Sequence, residues 1–365
     1  MVLNKISIIG LGLIGGSLAK AFRHQNENVH IYAVDNCVES LKMSELEGVI
    51  DKGFSECCAE IWDSDIIFVC TPIRKTIEFI AHLSKNINKN CIITDVASTK
   101  NEICNYIEGL EKPPIFIGGH PMAGTEKSGY SNSFAHLFQN AYYVLTPTKT
   151  ATEWALSALT ELLSGVGAIP IIVSPEKHDV VTGCISHVPH IIASTLVTLA
   201  KNESDSELIK LLAAGGFKDI TRIASSNPTM WENVVLSNST IIIELLNKCK
   251  KIIDSTINSI NNSNSSDIYN FFNSAKIFRD SFSASSVGLI PKSFELILDI
   301  EDEPGIIGKI TTLLGNNGIN IKNINVSNSR EYEQGCLRIT LLDQNNTDSA
   351  YKILSDCQYK VFRKE

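Results

Sequence analysis

The chain has 365 residues, of which 44% are hydrophobic and 20% are charged, a balance typical of folded globular proteins rather than disordered ones. At about 100–200 residues per domain, this length predicts two or three domains. The formal net charge of −8, with no basic stripe, argues against a nucleic-acid-binding protein. No run of 18 apolar residues appears, so we expect no membrane span.

The first half of the chain alternates short apolar runs with helix-like stretches. This alternation predicts a parallel sheet covered by helices on both faces, which is a Rossmann-type α/β domain, over residues 1–174. A helix is predicted over 152–163. The predicted strands are 5–10, 29–35, 65–70, 91–96, 115–119, 141–146 and 169–173.

Residues 175–285 have a helical pattern throughout. Helical spacing runs through 191–199, 207–214 and 241–260, and the sequence NNSNSS at 261–266 predicts a turn between two helices. These helices are too apolar to bury all their faces against one another in one small bundle. We therefore predict an all-helical domain that packs against a second copy of the chain, in a homodimer.

The last part of the chain follows a Ser-rich stretch, 281–292, which is typical of a linker. The pattern then predicts a strand at 293–300, a helix at 305–314, strands at 319–327 and 335–342, a helix at 348–355 and a strand at 359–363. The order βαββαβ is that of a ferredoxin-like module over residues 293–365.

The ten cysteines are scattered and include no CxxC pair. Two of them, Cys70 and Cys91, fall in predicted strands, where a small apolar side chain fits. This favours reduced thiols in a cytoplasmic protein over disulfides or a zinc site, and we expect no metal. The first apolar run contains glycines and no A-x-A site follows it, which favours a strand and turn over a signal peptide.

A GxGxxG sequence follows the first predicted strand directly and opens a helix, and this context predicts a dinucleotide site. Gly10 permits the tight turn, Gly12 lets the backbone approach a pyrophosphate, and Gly15 lets helix and strand pack closely. The helix amino terminus, with Leu13 and Ile14, offers free N–H groups and a positive dipole to the phosphates.

Further cofactor residues are expected at the next strand ends. Asp35 ends the second predicted strand, twenty residues after Gly15. Its carboxylate can accept hydrogen bonds from ribose hydroxyls and would repel a 2′-phosphate, so the sequence favours NAD over NADP. Thr71 and Pro72 follow the third long strand at a carboxyl end, where the ligand of such a sheet lies.

Polar residues also cluster at 95–100 and 119–129, after two further strands, and at 186–190 and 218–222 in the helical region. Groups at the carboxyl ends of parallel strands point into the ligand crevice, and this set suits oxidation of an alcohol on an anionic substrate. His120 is the candidate base, because imidazole titrates near the working pH. Ser98 can orient His120 or the substrate hydroxyl.

The candidate substrate residues lie in the helical region. Arg222 can hold a carboxylate with two parallel hydrogen bonds, and His190 and Lys218 can add donors. A lone histidine at a strand end is more often structural than catalytic, and Arg222 can equally pair with Asp219. The functional interpretation depends on the convergence of these clusters downstream of a dinucleotide motif.

The segments GLGLIGGS, DVASTK, GGHPMAGTEKSG, SHVPH and DITRIA, in this order, resemble the prephenate dehydrogenase family over roughly residues 5–285. The GxHPMAGTExSG stretch is the specific signal, and Ala97 departs from the glycine of many relatives. The family converts prephenate with NAD to 4-hydroxyphenylpyruvate, CO2 and NADH in tyrosine biosynthesis. The resemblance implies that His120 is the base and Ser98 its assistant, and that Arg222 anchors a substrate carboxylate with His190 and Lys218 nearby. Thr125 and Glu126 complete the expected substrate-binding set, and Glu126 helps to shape the mouth of the site.

The tail, residues 294–365, resembles an ACT domain, a module that binds amino acids. Its first strand-to-helix loop contains Pro304, Gly305 and Ile306, and Asn320 lies at its second strand. Such modules commonly pair side by side and bind an effector at the shared interface, so the resemblance implies inhibition by tyrosine. A purely structural dimerisation module is the alternative.

Two other functions stay open at this point. One is arogenate dehydrogenase, whose substrate carries an amine where prephenate carries a keto group. The other is a non-catalytic sensor of NAD and an amino acid. A sensor needs no base beside the nicotinamide, so His120, Ser98 and Arg222 argue against it.

Overall fold

The computed structural model of the chain describes residues 3–125, 127–282, 294–301, 303–327 and 334–363. The chain divides into two compact units, residues 1–255 and 256–365. Most of the predicted linker, from residue 283 onwards, lies outside the described residues. The three domain boundaries expected from the sequence stay predictions.

A sheet of eight strands, in the order β3-β2-β1-β4-β5-β6-β7-β8, organises the first unit. Its strands are β1 Lys5–Ile9, β2 His30–Val34, β3 Lys52–Phe54, β4 Ile66–Val69, β5 Ile92–Asp95, β6 Ile115–Pro121, β7 Tyr142–Pro147 and β8 Ile169–Ile172. In β4, Ile66 and Phe68 join one apolar core while Ile67 and Val69 join another. The strand is apolar at every position because the sheet is covered on both faces.

One strand pair departs from the parallel pattern, since β6 and β7 run antiparallel. The described residues between them contain a short 3-10 turn, Tyr130–Asn132, and no α-helix. Without a crossover helix the chain returns beside β6 in the opposite direction. The three-residue strand β3 at the sheet edge was also not predicted, because it is too short to show an apolar run.

Six helices connect the strands and cover the sheet. They are α1 Leu13–Gln25, α2 Val38–Leu46, α3 Ala59–Trp62, α4 Ile73–Leu83, α5 Asn101–Glu108 and α6 Glu153–Gly165. The hydroxyl of Thr152 accepts a hydrogen bond from the backbone N–H of Ala155 and so fixes the start of α6.

The rest of the first unit is helical, which confirms the predicted class. Its elements are α7 Pro175–Thr182, a π turn Gly183–His187, α8 Val188–Asn202, α9 Ser206–Leu212, α10 Gly215–Thr221, a 3-10 turn Arg222–Ser225, α11 Pro228–Ser237 and α12 Ser239–Asn261. Helix α12 crosses the division between the units. Large apolar side chains stay exposed on these helices, including Ile185, Leu199, Leu211, Leu212, Ile220 and Ile243.

The segment Pro175–Asn202 forms one 28-residue helix that includes α7, the π turn and α8, and it is long and apolar enough to cross a membrane. Length and composition alone are weak evidence for a span. This helix buries His178, Asp179 and His187 within the protein. These three polar side chains make hydrogen bonds inside the protein.

The second unit contains α13 Ser265–Ser281 and the module β9 Phe294–Glu301, α14 Ile306–Asn316, β10 Ile321–Ser327, β11 Gln334–Leu341, α15 Gln344–Asp356 and β12 Lys360–Arg363. Its antiparallel sheet has the order β10-β11-β9-β12. Leu296, Leu298, Ile310 and Leu337 are buried in a separate apolar core. The predicted βαββαβ order is confirmed.

Candidate active site

The loop between β1 and α1 is tightly packed at two of its glycines and open at the third. Gly10 has a φ of +96°, and a Cβ there would lie 2.5 Å from the carbonyl oxygen of Cys70. A Cβ on Gly15 would overlap the carbonyl oxygen of Gly10. Apart from Gly12 itself and its immediate chain neighbours, no heavy atom of the described residues lies within 4 Å of a Cβ built on Gly12. The open space beside Gly12 fits a phosphate group that approaches the backbone.

Helix α1 begins at Leu13, directly after Gly12, which has no side chain with which to cap it. The backbone N–H groups of Leu13 and Ile14 belong to the first turn and have no partner within the helix. They are suitable donors for phosphate oxygens, and the helix dipole adds positive potential.

Asp35 lies beside this loop, directly after β2. Its Oδ2 accepts a hydrogen bond from the Leu11 N–H at 2.6 Å, and its Oδ1 accepts one from the Cys37 N–H at 2.7 Å. The carboxylate thus fixes both loops, and each oxygen keeps a lone pair for a ribose hydroxyl. Thr71 also borders the loop, 3.3 Å from a Cβ placed on Gly10, and Pro72 precedes α4. The donors and acceptors here fit a dinucleotide.

His120 lies at the end of β6, opposite Val144 of β7, and is half-buried. Its Nδ1 is 2.8 Å from Nε2 of His178. Burial holds the pKa of His120 well below its usual value of 6.5, and the nearby His178, Lys100 and His187 lower it further. The imidazole is therefore neutral at neutral pH and can accept a proton.

His178 and Asp179 were not singled out from the sequence. Nδ1 of His178 is 2.7 Å from Oδ1 of Asp179, and both side chains are buried. Asp179 also accepts hydrogen bonds from the backbone N–H groups of Lys100 and Asn101, at 2.8 and 2.9 Å. The only sequence signal for this pair is an adjacent His and Asp near the start of a helix.

The turn that carries Ser98 is held by a buried ion pair. Lys100 Nζ contacts the Asp95 carboxylate and donates to the carbonyl oxygen of Gly119 at 2.8 Å, and neither charged side chain is exposed. Asp95 in turn accepts hydrogen bonds from the N–H groups of Ala97 and Gly119. These bonds join the Ser98 turn to the strand end of His120, so the two predicted residues belong to neighbouring strand ends.

His187 and His190 lie on the same long helix as His178. His187 is buried and its Nδ1 is 3.1 Å from the Asn238 amide nitrogen. His190 stacks on Trp231, with 3.6 Å between the ring centroids. Its Nδ1 donates to the Ser186 carbonyl oxygen at 2.8 Å, so the neutral ring offers an acceptor at Nε2 rather than the donor expected from the sequence.

Arg222 lies near His190. Burial lowers the pKa of His190, the hydrogen bond to Ser186 opposes this shift, and the charge of Arg222 lowers the pKa further. Lys218 is exposed on α10, one helical turn before Arg222. Thr125 is exposed in the loop after β6, where its hydroxyl accepts a hydrogen bond from the Lys127 N–H at 3.3 Å. Glu126 lies outside the described residues.

The four predicted effector residues lie at two ends of the second sheet. Gly305 and Ile306 follow the carboxyl end of β9 and begin α14. Asn320 precedes β10, and the strand register places Ile321 level with Phe294, at the other end of β9. An 11-residue helix, about 16 Å long, separates the two ends. A single copy of the module therefore does not bring Pro304, Gly305 and Ile306 together with Asn320.

Acid is expected to destabilise the protein through His187. Burial lowers its pKa to about 4, so the unfolded chain binds a proton first as the pH falls below 6.5. The stabilisation by neutral His187 is complete above pH 6.5 and is lost between pH 6.5 and 4, by about 3 kcal/mol at most. Chemical denaturation of His187→Gln should show a smaller loss over this range.

The exposed His136, changed to Gln, is the control for this measurement and should keep the parent's pH dependence. An equal acid sensitivity of His187→Gln and the parent would contradict the assignment of the shift to His187.

Three domain families match the chain. The prephenate dehydrogenase nucleotide-binding domain matches residues 18–172, the prephenate dehydrogenase dimerization domain matches 174–274, and the ACT domain matches 294–357. The first of these ranges contains the Ser98 turn and His120, and the second contains the three histidines of the long helix and Arg222.

Named relatives and solved structures agree with these matches. The chain is 35% identical to the prephenate dehydrogenase of Bacillus subtilis over 98% of both chains. It is 36% identical to that of Lactococcus lactis over 96% of this chain and 98% of the other. The crystal structure of A. aeolicus prephenate dehydrogenase with hydroxyphenyl propionate and NAD+ superposes with a TM-score of 0.71 at 32% identity, covering 77% of this chain and 99% of that one. Synechocystis arogenate dehydrogenase gives a TM-score of 0.69 at 29% identity, covering 76% and 99%. The chain belongs to the prephenate dehydrogenase family.

Proposed function

We propose that the protein is an NAD-dependent dehydrogenase that converts prephenate to 4-hydroxyphenylpyruvate, CO2 and NADH. The observation that carries this proposal is the half-buried His120 at the end of β6, at the carboxyl edge of a sheet whose glycine loop fits a dinucleotide. Ligands of open α/β sheets lie along this edge. Membership of the prephenate dehydrogenase family supports the choice of substrate.

His120 acts as the base. Its Nε2 takes the proton of the ring hydroxyl while the carbon that bears this hydroxyl loses a hydride. Bound NAD+ supplies the acceptor for that hydride. The resulting dienone loses its quaternary carboxylate as CO2, since the electrons of the broken C–C bond make the ring aromatic. His120 then returns the proton to the phenol oxygen, so the base is regenerated.

Other residues orient the two ligands. Ser98, on the turn held by Lys100, orients the hydroxyl toward His120. Arg222 binds a substrate carboxylate, because a guanidinium can donate two parallel hydrogen bonds to it. The neighbouring substrate residues are His190, Lys218, Thr125 and Glu126. Asp35 selects NAD, because a carboxylate beside the ribose would repel the 2′-phosphate of NADP.

The first test is NADH absorbance after mixing the protein with NAD+ and prephenate, with arogenate and NADP+ in parallel. We expect NADH from prephenate and NAD+, and a much slower reaction with NADP+. The fold likeness to an arogenate dehydrogenase makes arogenate the second candidate substrate. NADH formation from arogenate alone would identify arogenate, rather than prephenate, as the substrate. No NADH formation from either compound would contradict the dehydrogenase assignment.

We also propose that tyrosine inhibits the enzyme at the ACT domain of a homodimer. The β10 edge of the second sheet is unpaired within the described residues. Antiparallel pairing of two β10 edges would bring Asn320 of one copy to the sheet end that carries Gly305 of the other. The dimerization-domain match and the exposed apolar helices support a dimer. The scattered cysteines without a CxxC pair favour the cytoplasm as its location.

This regulation is tested in the same NADH assay. Tyrosine should suppress the prephenate reaction, and Asn320→Ala should raise the tyrosine concentration that halves each enzyme's own rate. Asn345→Ala, at an exposed position on α15, is the matched control. An enzyme indifferent to millimolar tyrosine would contradict this proposal and leave the catalytic one intact.

A further inference from the structure

We propose that His178 and Asp179 are positioning residues that hold His120 in the one tautomer that leaves its Nε2 free to act as the base. This inference rests on the proposed function of His120, because it explains how that side chain becomes ready for the reaction. The three side chains form a continuous hydrogen-bonded chain, with 2.8 Å between the two imidazoles and 2.7 Å between His178 and Asp179.

The direction of the chain follows from its carboxylate end. Asp179 receives the backbone N–H of Lys100 at Oδ1 and that of Asn101 at Oδ2, so both oxygens act as acceptors. A carboxylate that accepts at both oxygens also accepts from His178, whose Nδ1 must then carry the hydrogen. With Nδ1 as the site of its ring hydrogen, His178 keeps a lone pair at Nε2.

The second link fixes His120. Because Nε2 of His178 is the acceptor, Nδ1 of His120 must donate to it. A neutral imidazole carries one hydrogen, so Nε2 of His120 has the lone pair. The opposite tautomer would place a lone pair at each end of the 2.8 Å contact and lose the hydrogen bond.

The same chain suits the charged state of the base. When Nε2 of His120 takes a proton from the substrate, the imidazolium keeps its Nδ1 hydrogen bond to His178. The carboxylate of Asp179 lies at the far end of the hydrogen-bonded chain. Its negative charge stabilises the new positive charge on His120, and burial strengthens this attraction. Asp179 cannot turn away easily, because its two backbone bonds tie it to the beginning of α5.

Two substitutions at His178 separate hydrogen bonding from packing. His178→Gln keeps an amide oxygen that can accept the His120 hydrogen, whereas His178→Leu fills similar space without an acceptor. We expect kcat to fall within about tenfold for Gln and by about 100-fold or more for Leu, with an unchanged affinity for NAD+. Equal rates for the two variants, or a parent-like rate for Leu, would overturn the proposal.

The control is Thr182→Val. Thr182 is buried one turn along α7 and bonds to the carbonyl oxygens of His178 and Asp179, but it does not contact the imidazoles through its hydroxyl. Loss of the Thr182 hydroxyl shows how far a general disturbance of the helix affects the reaction. We expect the kcat of Thr182→Val to stay close to that of the parent. A loss as large as that of His178→Leu would assign the effect to helix damage and overturn the proposal.

A double-mutant cycle separates this inference from the proposed function. If His178 acts through His120, then His178→Leu should have no further effect on kcat in a His120→Asn background. Full turnover by His120→Asn alone would refute the base assignment. A dead His120→Asn with independent, additive effects of the two changes would refute only the positioning role.

Nitrogen NMR of histidine-labelled protein gives a readout in the unchanged enzyme. Ring nitrogens with and without hydrogen differ in chemical shift, and His120→Asn identifies the signals of His120 by their loss. We expect Nδ1 of His120 to carry the hydrogen and Nε2 to lack it. The reverse assignment would overturn the proposal, whatever the stability of the variants.

Discussion

His120→Asn is expected to lower turnover of prephenate by about 10²–10⁴-fold, the usual range for loss of a general base. Asparagine keeps a polar side chain of similar reach but cannot accept a proton at neutral pH. NAD+ affinity should not change, because His120 lies at the end of β6 and makes none of the hydrogen bonds of the glycine loop. Single-turnover NADH formation measures the first quantity and calorimetry with NAD+ the second.

His136→Asn is the matched control, since His136 is an exposed histidine in the loop that follows the same strand. This variant should turn over prephenate like the parent. Retained activity in His120→Asn, or an equal loss in His136→Asn, would refute His120 as the base.

Alanine at two glycines of the loop should have opposite consequences for folding and for binding. In Gly15→Ala the new methyl overlaps the Gly10 carbonyl oxygen, so helix and strand must separate. Overpacking of this kind costs about 1–3 kcal/mol, and the melting temperature should fall. Gly12→Ala points its methyl into open space, so the melting temperature should stay constant. NAD+ affinity should nevertheless fall about tenfold or more, because the phosphates lose their close approach.

Gly315→Ala provides the comparison, since Gly315 lies in α14 and a Cβ there meets no described heavy atom within 4 Å outside the adjoining backbone of its own helix. The melting temperature should not fall, because alanine is the better helix former, and NAD+ affinity should stay near the parent value. Normal NAD+ affinity in Gly12→Ala would refute the prediction that the phosphates of NAD+ bind at this loop.

The features that the sequence predicted are those encoded locally. Each long strand is a short apolar run, and the turn at Gly10 needs the left-handed φ that glycine favours, so both are visible in a few adjacent residues. The antiparallel pairing of β6 with β7 depends on what a 20-residue connection does in space. The sequence motif in this connection indicates the chemistry of the site and does not indicate the direction of the strand that follows.

Site residues that lie within a sequence motif were predicted, and those that reach the site only through contacts between distant parts of the chain were missed. His120 was found because it follows a strand in a polar cluster. His178 contacts it across 58 positions in the chain, and no spacing rule reports such a pair. The effector residues show the same limit, because Gly305 and Asn320 are close in the chain yet lie at opposite ends of a sheet.

The π turn Gly183–His187 sets the angle, around the axis of the helix Pro175–Asn202, between side chains that lie before it and side chains that lie after it. His178 and His190 are 12 positions apart, which in an unbroken α-helix at 100° per residue would leave them about 120° apart around the axis. The wider turn absorbs one residue and reduces that angle to about 20°. Deleting a single residue from this turn would restore an unbroken α-helix and leave the two histidines 11 positions apart, still about 20° apart around the axis. Relaxation of the turn to a regular α-helix at the present length would instead move His190 by about 100° around the axis, to a different face.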